Sequence, residues 1–307
     1  MFFLLLVSVV AASGQQKGQY LEGQYGLNAG VIPDPGVFYM NMAINYSANT
    51  LNNRDGHSVP DVTGTYQFWV DENIIMLVPN VKVLGGNFAP YVVLSPANGS
   101  LVADITGTDL SGGGGGKGLA DMWVEPVQLG WHFGRADATA GYAFVAPTGR
   151  FTPGASNNVG SGYWGNHLNT GVTGYITKNK GTSANVFLDW EQHGKKRGID
   201  ITPGQALTME WGLGQALPLN KQITKVAQLG VVGYDQWQLT ANQGLTAPVP
   251  FYSVYAIGMQ VNYVDLKNGL MGFFKYYNET NAYAHPLGRT IVFGGSYSWT
   301  YSKPKMP

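Results

Sequence analysis

The stretch RTIVFGGSYSWTY, residues 289–301, decides how the rest of the chain is read. Its alternate positions Ile291, Phe293, Gly295, Tyr297, Trp299 and Tyr301 form one face, almost wholly apolar or aromatic. The intervening Thr290, Val292, Gly294, Ser296, Ser298 and Thr300 form the other, small and mostly polar. Side chains alternate across a strand with period two, so this is a strand with two unlike faces. A strand that meets lipid on its bulky side and a water-filled lumen on the other has this composition.

The same device recurs upstream in runs of about ten residues separated by Gly, Pro, Asn and Asp. In residues 36–46, Phe38, Met40, Met42, Ile44 and Tyr46 share a face opposite Asn41 and Asn45. Around 123–133, Trp123, Val127, Leu129, Trp131 and Phe133 oppose Gln128, Gly130 and His132. Ala184, Val186, Leu188 and Trp190 oppose Asn185, Phe187, Asp189 and Glu191. Leu207, Met209, Trp211 and Leu213 oppose Thr208, Glu210, Gly212 and Gly214, and residues 251–263 repeat the pattern. With further runs near 63–70, 74–84, 137–146, 163–177, 226–240 and 268–278, the pattern predicts about twelve strands. The fold class expected is all-β: a transmembrane, antiparallel, up-and-down β-barrel.

Composition supports this over a soluble β-sandwich. The chain has 307 residues, of which only 12% are charged, with 43 Gly, 18 Tyr and 8 Trp. The faces opposite the apolar ones carry Gly, Ser, Thr, Asn and Gln with few Lys or Glu, whereas a solvated outer face is charge-rich. Mean hydropathy is close to zero, and no segment has eighteen consecutive apolar residues, so helical membrane spans are excluded. The formal net charge is zero, which gives no basis for nucleic-acid binding.

Several chemistries are excluded or left unsupported. There is no cysteine, hence no disulfide, thiolate ligand or Cys nucleophile. The five histidines, His57, His132, His167, His193 and His285, show no ligand spacing and read as loop or rim residues, so neither a metal site nor a cofactor is expected. The stretch SGGGGGKG at 111–118 fails the P-loop template at both ends and reads as a flexible loop tip. No G-x-S-x-G elbow is present, and the chain is read as no enzyme.

The ionisable residues expected to face the lumen are His132, Asp189, Glu191, Glu210 and Lys275. A charge facing lipid at mid-depth costs up to ~4 kcal/mol, so the inward side is favoured. There they either tune selectivity or brace a filled lumen. Trp131, Trp190, Trp211, Trp299 and Tyr301 are candidates for an aromatic girdle. The apolar run Phe2–Val10 followed by Ala11, Ala12, Ser13 and Gly14 reads as a signal peptide over 1–14, without a preceding basic residue. Residues 15–35 then form an N-terminal lead-in, 36–301 the barrel, and 302–307 a tail.

Several segments together resemble a known family. They are EGQYGLNAGVIPDPGVFYMNMAINYSA (22–48), GLADMWVEPVQLGWHFG (118–134), GYAFVAPTGRFTPG (141–154), GYWGNHLNTGVTGYIT (162–177), DITPGQALTMEWGLGQAL (200–217) and LGVVGYDQWQLT (229–240). They look like the transporter-type family of the meta pathway of phenol degradation. The resemblance implies a Gram-negative outer-membrane protein, porin-like, passing small hydrophobic or aromatic compounds. It supplies no catalytic residues. The expected partners are outer-membrane lipid, the barrel assembly machinery and a small-molecule solute. A closed structural or adhesive barrel is the alternative, and a membrane-embedded hydrolase a more distant one.

Overall fold

The computed structural model describes residues 18–106, 111–244 and 249–300. The expected signal peptide, the tail and Tyr301 lie outside the described residues. Strands β1 (Gly36–Leu51) and β2 (Val62–Val78) are followed by the short β3 (Lys82–Val83), β4 (Gly86–Phe88) and β5 (Tyr91–Leu94). Then come β6 (Pro96–Ile105), β7 (Ser111–Leu119), β8 (Met122–Phe133), β9 (Ala136–Ala146) and β10 (Gly165–Tyr175). The chain continues through β11 (Thr182–His193), β12 (Ala206–Pro218), β13 (Lys225–Gln238), β14 (Ser253–Asp265), β15 (Leu270–Tyr283) and β16 (Pro286–Thr300).

Each strand pairs antiparallel with its neighbours, and β16 returns to β1 in the register Val37↔Trp299 to Ala43↔Phe293. On the other side, β5 bridges β2 and β8. β5 runs on into β6, and β7 into β8, so the wall is a closed antiparallel barrel of twelve strands. β3 and β4 make a small hairpin that pairs with β8 at Asn87↔Gly130 and Phe88↔Leu129. Closure leaves no backbone edge unpaired in hydrocarbon.

The short connections 134–135, 176–181, 219–224 and 266–269 lie at one end of the wall, with Gly36 and Thr300. The longer 147–164 and 194–205 lie at the other, with the described residues 239–244 and 249–252. In outer-membrane barrels the short turns are periplasmic and the long loops external. The outward residues Leu168, Val186, Leu213, Val231, Ile257, Met259 and Phe293 are exposed, as a lipid-facing belt must be.

Three expectations need correction. The run at 63–70 and the first part of that at 74–84 are one strand, β2, in which Asp71 and Asn73 merely resemble a break; Lys82–Val83 belong to β3. A stave over 91–105, interrupted at Ser95, takes the vacated place in the count. The Gly-rich stretch 111–118 is no loop tip but most of β7, laddered to β6 from Pro96↔Leu119 to Asp104↔Ser111. Finally, the apolar faces of β1 and β2 point inward. Met42 and Ile44 are 1% exposed, while Asn41, Asp71 and Asn73 face outward and hydrogen-bond one another.

Candidate functional site

The lumen is not empty. Residues 18–35, upstream of β1, run inside the barrel as a strap from the loop end to the turn end. At the loop end Gly18 N donates to the Tyr252 hydroxyl at 2.9 Å, and Gln19 N to Glu191 Oε2 at 2.6 Å. Gln19 Nε2 also reaches Ser161 Oγ and Tyr163 O, at 2.7 and 3.1 Å. Near the turn end Gly30 N donates to Thr173 Oγ1 at 3.0 Å, and Ile32 is buried over Gly130.

One carboxylate grips the middle of the strap. Gly23 and Gly26 have φ of 90° and 60°, which glycine adopts at no steric cost. The turn they allow aims four successive N–H groups the same way, making an anion cradle. Gly23 N and Gln24 N donate to Glu210 Oε1 at 2.9 and 3.0 Å; Tyr25 N and Gly26 N donate to Oε2 at 3.0 and 2.9 Å. The Tyr20 hydroxyl adds a fifth bond to Oε1 at 2.6 Å. From the other side, Lys275 Nζ donates to Gly23 O at 2.9 Å and to Gln24 O. The acid takes the donors of the turn and the ammonium takes its acceptors.

Two buried His–acid pairs lie in the same half of the lumen. His167 Nδ1 lies 2.8 Å from Asp189 Oδ1, with both side chains fully buried. His193 Nε2 lies 3.1 Å from Glu191 Oε2, and its Nδ1 lies 2.8 Å from Gly204 O. Phe187 stacks on Tyr25 at 3.8 Å and on Tyr20 at 5.9 Å. Outside the membrane-spanning strands, Lys196 is buried in the 194–205 loop, and that burial pulls its ammonium down to about 8.

The other half of the lumen is open and mainly apolar, with Glu72, Lys275 and Glu279 among its lining. A cavity of about 950 Å³ lies between the strap and the wall. Its wall side carries Phe38, Met40 and Met42 of β1, Phe68, Val70, Ile74 and Met76 of β2, and Met271 and Phe273 of β15. Its lining extends from Leu266 and Gly269 at the turn end to Ser156 and Tyr163 at the loop end.

Asp189, Glu191 and Glu210 are 0% exposed, and Lys275 is 2% exposed. Of these four, only Lys275 borders the cavity. His132 shares their inward parity but stands at the turn-end rim, its side chain 45% exposed and its Nδ1 2.9 Å from Asp137 Oδ1. Trp131 lies near the turn end with Nε1 donating to Leu84 O at 3.1 Å, and Trp299 lies there against Tyr297. Trp190 is near the loop end of β11. Trp211 is midway along β12, with Nε1 donating to Asp235 Oδ2 at 3.2 Å.

Sequence reasoning missed Glu72, Glu125, Asp137 and Glu279, all inward and buried. Glu279 was hidden by a bulge between β14 and β15, and accepts from the hydroxyls of Tyr46 and Tyr234, both at 3.1 Å. Glu125 and Trp123 were hidden by a bulge between Val124 and Val127 in β8, which puts Trp123 inside, opposite to its expected face. Pro126 was the signal, since within sheets proline is confined to edges and bulges. His167 and His193 are interior residues, not rim ones, because each has an acid to satisfy it.

A family model described as "putative MetA-pathway of phenol degradation" matches residues 48–293. Among solved structures, the COG4313 outer membrane channel from Pseudomonas putida F1 is similar, with TM-score 0.73 and 11% identity. The match covers 92% of this chain and 100% of that one. The β domain of the Bordetella autotransporter BrkA aligns at TM-score 0.49 and 15% identity, over 87% of this chain and 100% of that one. No curated protein sequence matches.

Proposed function

The chain belongs to the family of the putative MetA pathway of phenol degradation, and from that premise we propose that it is an outer-membrane channel for small apolar, including aromatic, compounds. The observation that carries this reading is the Met- and Phe-lined cavity along β1, β2 and β15. An apolar solute loses little on leaving water for such a surface, whereas a hydrated ion would shed its shell against thioethers and rings. The similar Pseudomonas structure, which has the same fold, is named as an outer membrane channel. No covalent chemistry is required, and the interior His167 and His193 are engaged by Asp189 and Glu191.

In this reading Asp189, Glu191 and Glu210 brace the strap, and Lys275 is the one charge of that group that a solute passes. His132 stands at the exit. Trp131 and Trp299 anchor the wall at the periplasmic interface, and Trp190 at the external one. The assembly machinery of the outer membrane is the expected folding partner.

The test is uptake into liposomes holding purified protein, comparing a neutral phenol, a sugar of similar size and potassium chloride. The phenol is expected to enter faster than into empty liposomes, by a larger factor than the sugar does. Equal entry of phenol with and without protein would refute the channel and favour a closed structural barrel.

A further inference from the structure

The wall of the polar half contains a niche that the channel reading does not use. It is built on one row of cross-strand neighbours, Gln128 of β8, Gly141 of β9 and Asn169 of β10. Glu125 joins them because of the β8 bulge. One extra residue between Val124 and Val127 brings Glu125 and Gln128, three apart in sequence, to the same inner face. Gly141 leaves the space over its Cα free of a side chain, and oxygen atoms converge on it. Measured from where a Cβ would stand, Glu125 Oε1 is at 2.2 Å, Gln128 Oε1 at 2.3 Å and Asn169 Oδ1 at 2.8 Å.

Glu125 is 0%, Gln128 2% and Asn169 4% exposed. Gln128 Oε1 and Asn169 Oδ1 have no hydrogen-bond partner. The amide of Asn169 is oriented by its Nδ2, which donates to Glu125 Oε1 at 2.9 Å, so its oxygen is left free. Two further unpartnered buried oxygens lie close in the register: Thr139 Oγ1, two residues along β9 from Gly141, and Asp189 Oδ2, on the residue paired with Asn169. A carboxylate and two amide oxygens facing one space repel unless something positive lies among them. A water has two protons and cannot serve three converging acceptors equally, whereas a hard cation can.

We propose that this niche binds a hard, oxygen-seeking cation of the calcium class, held by Glu125, Gln128 and Asn169. The carboxylate supplies the charge and the two amides supply neutral ligands, as in calcium sites made of mixed carboxylate and carbonyl oxygens. The neighbouring Asp189 carboxylate adds to the attractive field. Such an ion ties β8 to β10 across Gly141 of β9, beside the strap. The site does not depend on what the channel passes.

The test is equilibrium dialysis of the purified full chain against radioactive calcium, after chelator washing into a sodium-free buffer. Parallel melting curves are recorded in calcium, magnesium, sodium and choline chlorides. One calcium bound per chain is expected, with the melting temperature raised by about 5 °C at a hundredfold excess over Kd. Glu125→Gln and Gln128→Met are expected to lose both the ion and the shift; the methionine keeps the volume and removes the oxygen, so it guards against a variant that simply fails to fold. Asp55→Asn, on an exposed loop, is expected to keep both. No calcium retained by the wild type, retention unchanged in both niche variants, or an equal shift in sodium would overturn the proposal.

Discussion

Glu210→Gln offers the sharpest test of how the lumen is organised. Glu210 accepts four backbone N–H bonds and one hydroxyl bond, all from the strap. Glutamine retains one acceptor oxygen and replaces the other by an amide that points its own hydrogens at two N–H groups. A hydrogen bond to a charged group contributes about 1.5–3 kcal/mol, so losing the pair on Oε2 costs roughly 3–6 kcal/mol of strap docking. At ~1.4 kcal/mol per factor of ten, even the lower figure shifts the docked-to-released ratio about a hundredfold. The barrel wall keeps its ladders and stays folded. Single-channel recordings in planar bilayers should therefore show larger and noisier conductance than wild type. Chymotrypsin should begin to cut at Tyr20 and Tyr25, which the docked strap buries or half-buries. Wild-type conductance together with wild-type protease resistance would refute the assignment of Glu210 as the strap's main hold.

Two other predictions rest on separate parts of the molecule. Val186 faces outward on β11 and is 42% exposed; Val186→Arg should destabilise the barrel in vesicles by about 2–4 kcal/mol in urea titrations if it sits at mid-bilayer, and a loss below ~1 kcal/mol would remove it from that depth. Lys196, pulled down to about 8 by burial, holds fewer protons folded than unfolded between that value and about 10.4. Its contribution to stability therefore rises with pH across that window. Wild-type melting temperature should climb relative to Lys196→Met from pH 8 to 10, and parallel curves would show that the ammonium is not desolvated.

Alternation made much of the wall legible, because in β11, β12, β14 and β16 the bulky face and the lipid face coincide. It could not say which face of β1 and β2 points in. Period two divides a strand into two sets, and the direction comes from what lies on each side. Met40, Met42, Val70 and Ile74 border an apolar cavity instead of lipid, so the usual assignment reverses there. The strap was invisible as structure because EGQYGLNAG has no periodicity; its order comes from Glu210 and Lys275, nearly two hundred residues and more away in sequence. Bulges erased the parity of Glu125 and Glu279, since one inserted residue moves every later side chain to the other face. Asp189, Glu191, Glu210 and Lys275 were placed inward by the cost of charge in lipid. What they bind there required the fold.

The strap bears on how such a barrel can be built. Glu210 and Lys275 stand on strands remote from the strap in sequence, and neither finds these partners until the strap lies alongside. The seam that completes the wall, β1 against β16, begins at Gly36, immediately after the strap ends. A wall rolled up first would enclose an acid and an ammonium without the turn that matches them, then have to admit eighteen residues lengthwise. Curling the sheet around the strap avoids both costs, with the segment acting as a mandrel on which the last seam is drawn shut.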